Sequence, residues 1–261
     1  VVGDDSSLYL FVAGVDGLYM SSGTKSGGGI SWSALSQIYA ANNITNIAAV
    51  TKDRVHFIHE VGVNNFELKC AVNDGGWSVQ ASDIRMMYYA QSFDAVLGPN
   101  GHDVLVMSTF LPGAVAISYE GTKIKRNVEI SGGIIAFRYK NGMWGDHHVI
   151  ESLDEITTWR YRRGVKACVI NGTIYVSAYS SDGTDAYPVE FYRYYTSKDG
   201  KWWSMSQYIA SDGDLGGQGL KIVDNPDTEE IYLLESYFAW KMPATLTFGY
   251  EPEDMIVDVT E

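Results

Sequence analysis

The stretch that decides the fold is residues 46–80, NIAAVTKDRVHFIHEVGVNNFELKCAVNDGGWSVQ. It reads as four short strands joined by tight turns. Asn46–Val50 is the first and innermost strand, closed by the polar turn Thr51–Asp53. Arg54–Glu60 is the second, with apolar residues alternating at Val55 and Phe57. Asn65–Val72 is the third, the turn Asn73–Gly76 follows, and Trp77–Gln80 is the fourth. Alternation at period two bounded by Gly, Asn and Asp is the pattern of half-buried antiparallel strands. A turn near Gly62 sets the expected register, with Arg54 opposite Ala71 and Glu67 opposite Ile58.

Working outward, the Gly-or-Ser-then-Trp ending returns at Trp32, Trp144 and Trp202-Trp203, at intervals of 45, 67 and 58 residues. Spacing of this size suits propeller blades better than a two-sheet sandwich. The third repeat runs through Phe93–Leu97, Asp103–Thr109, Ile134–Tyr139 and Trp144–Ile150. An insertion at residues 111–133 lies between its second and third strands and is expected to form an extra hairpin. The fourth holds Val165–Ile170, an Asn171-Gly172 turn, Thr173–Tyr179, Val189–Tyr195 and a strand from Trp202 onwards. Asn-Gly marks a hairpin because both central residues of that turn need positive φ.

A fifth repeat reads as Leu220–Val223, Glu230–Glu235, Ala244–Phe248 and Met255–Val259, with Met255 in place of the tryptophan. In the first repeat, Leu8–Val12, Leu18–Met20 and Ile30–Trp32 read as the second, third and fourth strands. Only Val1-Val2 is left for its innermost strand, which suggests trimming from a longer chain. The fold class expected is all-β, a five-bladed β-propeller of four-stranded antiparallel blades. The blades fall at about residues 1–41, 42–87, 88–156, 157–214 and 215–261 of a single domain. Helical signals are weak, with at most one turn between Glu151 and Arg163.

A net charge of −13 over 261 residues excludes nucleic acid and anionic membrane surfaces as partners, since both would be repelled. No run of about 18 apolar residues occurs, so no helical membrane span is expected. Two cysteines, Cys70 and Cys168, make no disulfide framework and read as buried thiols. Asn43-Ile-Thr and Asn171-Gly-Thr fit the N-glycosylation pattern, which points to a secreted protein or one at a cell or virion surface. His56 and His59 stand three apart on one strand, and His147 and His148 are adjacent, so both pairs diverge. No metal site and no cofactor are expected.

Two resemblances add to this reading. Ser197-Lys-Asp-Gly-Lys-Trp-Trp203 resembles the Asp-box turn of sialidases and related propellers, a folding element remote from the active site in that family. Ile47–Val50, Arg54–Phe57, Phe66-Glu67 and Asp74–Trp77 look like one repeat of the fungal fucose-binding lectins. That resemblance implies a sugar site in which Arg54 and Glu67 bind hydroxyls while an aromatic from a neighbouring repeat stacks on the apolar sugar face. Trp77, Trp203 and Tyr194 are the aromatics expected beside it.

The expected function is therefore extracellular glycan binding. Alternatives are a protein-recognition, adhesion or receptor-binding module of a larger, viral or other, surface chain, and a five-bladed glycoside hydrolase. The hydrolase needs several carboxylates converging from different blades. Its candidates are Asp94, Asp53 and Asp224, followed by Asp103 and Glu190, with Asp94 foremost because a charge inside an innermost strand needs a reason.

Overall fold

The computed structural model describes residues 1–3, 7–63, 65–80, 84–86, 90–120, 125–152, 162–182, 189–205, 207–210, 221–225, 230–234 and 239–241. Among these there is no helix, and the strands form several antiparallel sheets. By contact the chain divides into two compact units, Val1–Tyr89 with Val115–Glu129, and Ala90–Ala114 with Ile130–Glu261.

The first unit begins with β1 (Leu8–Gly14), β2 (Gly17–Ser26), β3 (Gly29–Trp32) and β4 (Ser36–Ala40). β1 pairs with β2, while β3 and β4 pair with the outer and inner halves of β2. The next meander is β5 (Ile44–Thr51), β6 (Arg54–Gly62), β7 (Asn65–Asn73), β8 (Trp77–Gln80) and β9 (Ile84–Met86). β8 and β9 both lie along β7, β8 at one end and β9 at the other. β1 packs against β5, just as first strands pack in the second unit below. Leu8–Gly14 is thus the first strand of its repeat, not the second as its sequence suggested, and Val2 contributes only an isolated bridge to Leu8.

The second unit contains β10 (Ala90–Leu97), the inner parts of β11 (Asp103–Glu120) and β12 (Lys125–Lys140), and β13 (Met143–Ser152). Then come β14 (Arg162–Ile170), β15 (Thr173–Asp182), β16 (Val189–Ser197) and β17 (Gln207–Ala210), a complete four-stranded meander. Last are β18 (Lys221–Asn225), β19 (Glu230–Leu234) and β20 (Ala239–Lys241). The first strands pack in series, β10 against β14 and β14 against β18.

Several expectations change here. The insertion at 111–133 is no separate hairpin, because β11 and β12 run on through it as strands of 18 and 16 residues. The outer part of β11 pairs with β9, Tyr119 opposite Ile84. Trp202 and Trp203 lie in the turn that precedes β17, not in the strand itself. The strands expected at Ala244–Phe248 and Met255–Val259, and the helical turn after Ser152, lie outside the described residues.

Register follows from the turns. Asn141-Gly142 and Asn171-Gly172 have φ of 51°, 82°, 48° and 72°, as two-residue hairpin loops require. On β14, β15 and β16, alternate residues Val165, Ile174, Val176, Ala178 and Tyr195 are buried with Val104, Val106 and Ile134 in one apolar cluster. In the first unit Phe11, Leu18, Val55, Phe57 and Ala71 form another. Burying each aliphatic side chain of this kind contributes about 1.5–3 kcal/mol.

One glycine ties a turn to this core. Gly200 has φ +74°, and a Cβ there would stand 2.5 Å from Val104 Cγ2. Gly200→Ala combines left-handed strain with overpacking and should destabilise the chain by about 1–3 kcal/mol, measured as a shift in the urea midpoint. Gly172→Ala, which has the same backbone strain but open space around its Cβ position, should cost less.

Candidate functional site

The structure separates the Arg and Glu that the sequence put together. β6 and β7 are in register with Arg54 opposite Val72 and Glu67 opposite His59, one residue from the expected alignment, because the ladder shifts between Glu60 and Gly62. Arg54 and His59 are an odd number of residues apart on an uninterrupted stretch of strand. Since successive side chains alternate faces, Arg54 and Glu67 lie on opposite faces of the sheet and cannot grip one ligand.

Glu67 has other cations. Its Oε2 is 3.0 Å from Lys69 Nζ and its Oε1 is 3.3 Å from the Arg85 guanidinium. Arg85 reaches it because β9 pairs with β7 and sets Arg85 directly opposite Glu67. Lys69 Nζ donates to the Tyr39 hydroxyl at 3.5 Å and lies 5.8 Å from the centre of its ring. The Tyr39 ring meets His59 edge-on at 6.2 Å. Burial, and then the Lys69 charge, push the His59 imidazole below its ordinary pKa, outweighing Glu67, so it is neutral at pH 7.

Tyr39, His59, Glu67, Lys69 and Arg85 are all half-buried. They come from β4, β6, β7 and β9 onto one face, where they offer a carboxylate between two cations beside an aromatic ring. The cluster presents charge-assisted donors, an acceptor and an apolar ring face together. Glu67 was legible in the sequence. Arg85 was not, because it sits in a three-residue strand, too short to show an alternating pattern.

The second unit repeats the position with the sign reversed. Four residues along β7 from the cross-strand layer Ala49–Val55–Ala71 stands Glu67. Four along β16 from Val169–Ile174–Ser197 stands Arg193. Arg193 Nη1 donates to Glu151 Oε1 at 2.8 Å, with both side chains largely buried.

The aromatics named from the sequence are mostly core. Trp77 stands edge-on to Phe11 at 5.9 Å, and Trp203 packs on the Val104 cluster. Tyr194 is fully buried, its hydroxyl meets no hydrogen-bond partner, and burial raises its pKa. Among the described residues the exposed indoles are Trp32 and Trp202, of which Trp202 carries Lys201 Nζ 5.1 Å above its ring.

Among the carboxylates, Asp94 is accounted for structurally. Its Oδ2 accepts from Ala167 N at 2.9 Å, its Oδ1 from Ala95 N at 3.0 Å, and Lys166 Nζ lies 4.0 Å away. Two residues earlier, Ser92 Oγ accepts from Val165 N at 3.0 Å and donates to Val165 O at 3.3 Å. Asp94 therefore links β10 to β14. Asp53 ties the turn before β6 to Asn73, accepting from Asn73 Nδ2 at 3.2 Å. Asp103 is buried. The side chains of Asp224 and Glu190 lie outside the described residues.

The turn at 197–202 is closed by its own side chains. Asp199 Oδ1 accepts from Lys201 N at 2.8 Å and Trp202 N at 3.0 Å, and Ser197 Oγ accepts from Gly200 N at 2.8 Å. Cys70 carries a thiol rather than a disulfide, buried with its Sγ 3.9 Å from His56 Nε2; Cys168 is a half-buried thiol. Asn43 and Asn171 are exposed.

No protein family matches the chain, and no curated protein matches it. The solved structures similar to it include three with TM-scores under 0.5. A thermostable family-43 glycoside hydrolase is 9% identical over 89% of this chain and 80% of its own, with TM-score 0.43. A second glycoside hydrolase is 9% identical over 88% and 83%, with TM-score 0.40. An arginine-to-alanine triple mutant of AofleA from Arthrobotrys oligospora is 12% identical over 81% and 71%, with TM-score 0.32. None of these likenesses decides what this chain does.

Asp94 and Asp199 should respond to pH in opposite ways. Burial raises the Asp94 pKa against the opposing Lys166 charge and backbone donors. Its contribution to stability is therefore full below the ordinary carboxylate value and is lost as pH rises through the raised pKa. For Asp199, burial acts upward but the Trp202 and Lys201 N–H groups and the Ser197 hydroxyl outweigh it, so its pKa is lowered. Its contribution is present above the ordinary value and is lost as pH falls through the lowered one. Urea midpoints from pH 2 to 8 should show wild type losing ground to Asp94→Asn on the rising limb, and to Asp199→Asn on the acid limb.

Proposed function

We propose that this chain is a glycan-binding β-propeller of five blades, with the blade limits drawn above, and that its sugar site is the Tyr39–His59–Glu67–Lys69–Arg85 cluster. The observation that carries this reading is the half-buried Glu67 carboxylate between Lys69 and Arg85 beside the Tyr39 ring. Vicinal hydroxyls both donate and accept, so a carboxylate flanked by cations can serve two of them, while the ring covers an apolar C–H face. Packing of successive first strands supports the blade architecture. Exposed Asn43 and Asn171 suit a secreted or surface-displayed protein carrying N-glycans. Protein recognition is the second reading, favoured by the exposed apolar residues Ile30, Trp32 and Leu35 on and beside β3.

A glycan array probed with wild type should give a restricted set of binders. Glu67→Ala and Arg85→Ala should each weaken the best of them by about tenfold or more, and Arg54→Ala should leave it within about twofold. An array blank across neutral and charged glycans rejects the reading, as does a loss confined to Arg54→Ala. Because His59 is neutral at pH 7, affinity should hold steady from pH 8 to 7 and change only below the ordinary imidazole pKa.

A further inference from the structure

A second group of polar side chains lies in the second unit, where the turn between β10 and β11, the end of β12 and the Asp199 turn meet around Val104. Gly98 and Gly200 both approach Val104 Cγ2. Gly98 N donates to His102 O at 2.7 Å and closes the first turn. Lys140 Nζ reaches that turn from the end of β12, donating to Asn100 O at 3.0 Å.

The charge here opposes that of the whole chain. Arg138, Lys140, Lys198 and Lys201 bring four cations to these turns, while the chain carries −13. Among the described side chains the carboxylates here are Asp103, which is buried, and Asp199, whose Oδ1 accepts from the Ser197 hydroxyl and from the Lys201 and Trp202 amides. His102 is held below its ordinary pKa by burial and then by the Lys140 and Arg138 charges. Arg138 in turn helps to lower Asp199, so these groups feel one another.

Two buried donor nitrogens in this region meet no partner, Arg138 Nε and Trp203 Nε1. Arg138 and Trp203 can only donate, and an orphaned buried donor costs about 1–3 kcal/mol. Orphaned donors beside surplus cations call for a species that only accepts hydrogen bonds. We propose that Arg138, Lys140 and His102 form a binding site for a single oxyanion, with Trp203 Nε1 as a further donor. Its chemistry fits a sulfate or phosphate group, either as the free inorganic ion or as a substituent on a sugar. The site is separate from the Glu67 cluster and does not depend on the sugar reading given above.

The test is thermal unfolding of the whole chain in sodium sulfate against sodium chloride at matched ionic strength. Sulfate at about ten times its dissociation constant should raise the wild-type midpoint by about 2–4 °C beyond chloride, and saturably. Arg138→Gln and Lys140→Gln should at least halve that gain, and Lys25→Gln in the first unit should keep it. Lys140 is exposed, so its variant reads out even if Arg138→Gln fails to fold. An equal gain in wild type and Lys140→Gln overturns the proposal, as does no gain beyond chloride. Calorimetry with inorganic sulfate and with glucosamine 6-sulfate separates the two sources. Tighter binding of the sugar sulfate assigns the site to a glycan substituent, equal binding assigns it to the free ion, and heat from neither overturns it.

Discussion

First strands lying side by side without a shared ladder leave edge amides that water cannot easily reach, and those amides must find acceptors. Between β10 and β14, Ser92 and Asp94 supply them, taking the Val165 and Ala167 N–H groups at alternate positions. A charged residue inside an innermost strand is costly unless it is hydrogen-bonded, and here the hydrogen bonds it makes are the reason it is there. The rest of the second unit follows from that lacing. With β14 held against β10, the apolar faces of β15 and β16 close over Val104, Val106 and Ile134.

The strands and their turns were largely legible in the sequence. The Asn-Gly pairs and the Asp-Gly-then-Trp phrases fall at the turns where strict local chemistry demands them, and the alternation of Val55, Phe57 and their neighbours gave the buried face. What local pattern could not give was register, because the shift beside Val61 moves every pair on β6 and β7 by one residue and so changes which side chains share a face. The first repeat was misassigned for a related reason. Strand order within a meander depends on which strand packs against the next repeat, and Leu8–Gly14 looks the same whether it is first or second.

The candidate sugar site was half legible. Glu67 was named through the lectin resemblance, which sought its partner, Arg54, on the neighbouring strand of the hairpin. Its actual partners are Lys69, two residues along the same strand, and Arg85, brought in by the short strand β9. A three-residue strand has too few positions to show a period, so only its pairing with β7 reveals it. The aromatics erred the other way. Trp77 and Trp203 were placed beside a sugar, yet each packs on an apolar cluster, while Trp202, next to Trp203 in the chain, is exposed.

The Asn-Gly turns have one more consequence, which concerns the lifetime of the molecule rather than its shape. Asn141-Gly142 and Asn171-Gly172 each set an unhindered glycine nitrogen after a carboxamide, on loops open to solvent. Attack of that nitrogen on the side-chain carbonyl expels ammonia, and reopening of the ring by water leaves mainly isoaspartate, with one extra carbon in the backbone. A loop of two residues has no slack to absorb it, so the same pairs that fix the hairpins also set how the protein ages chemically.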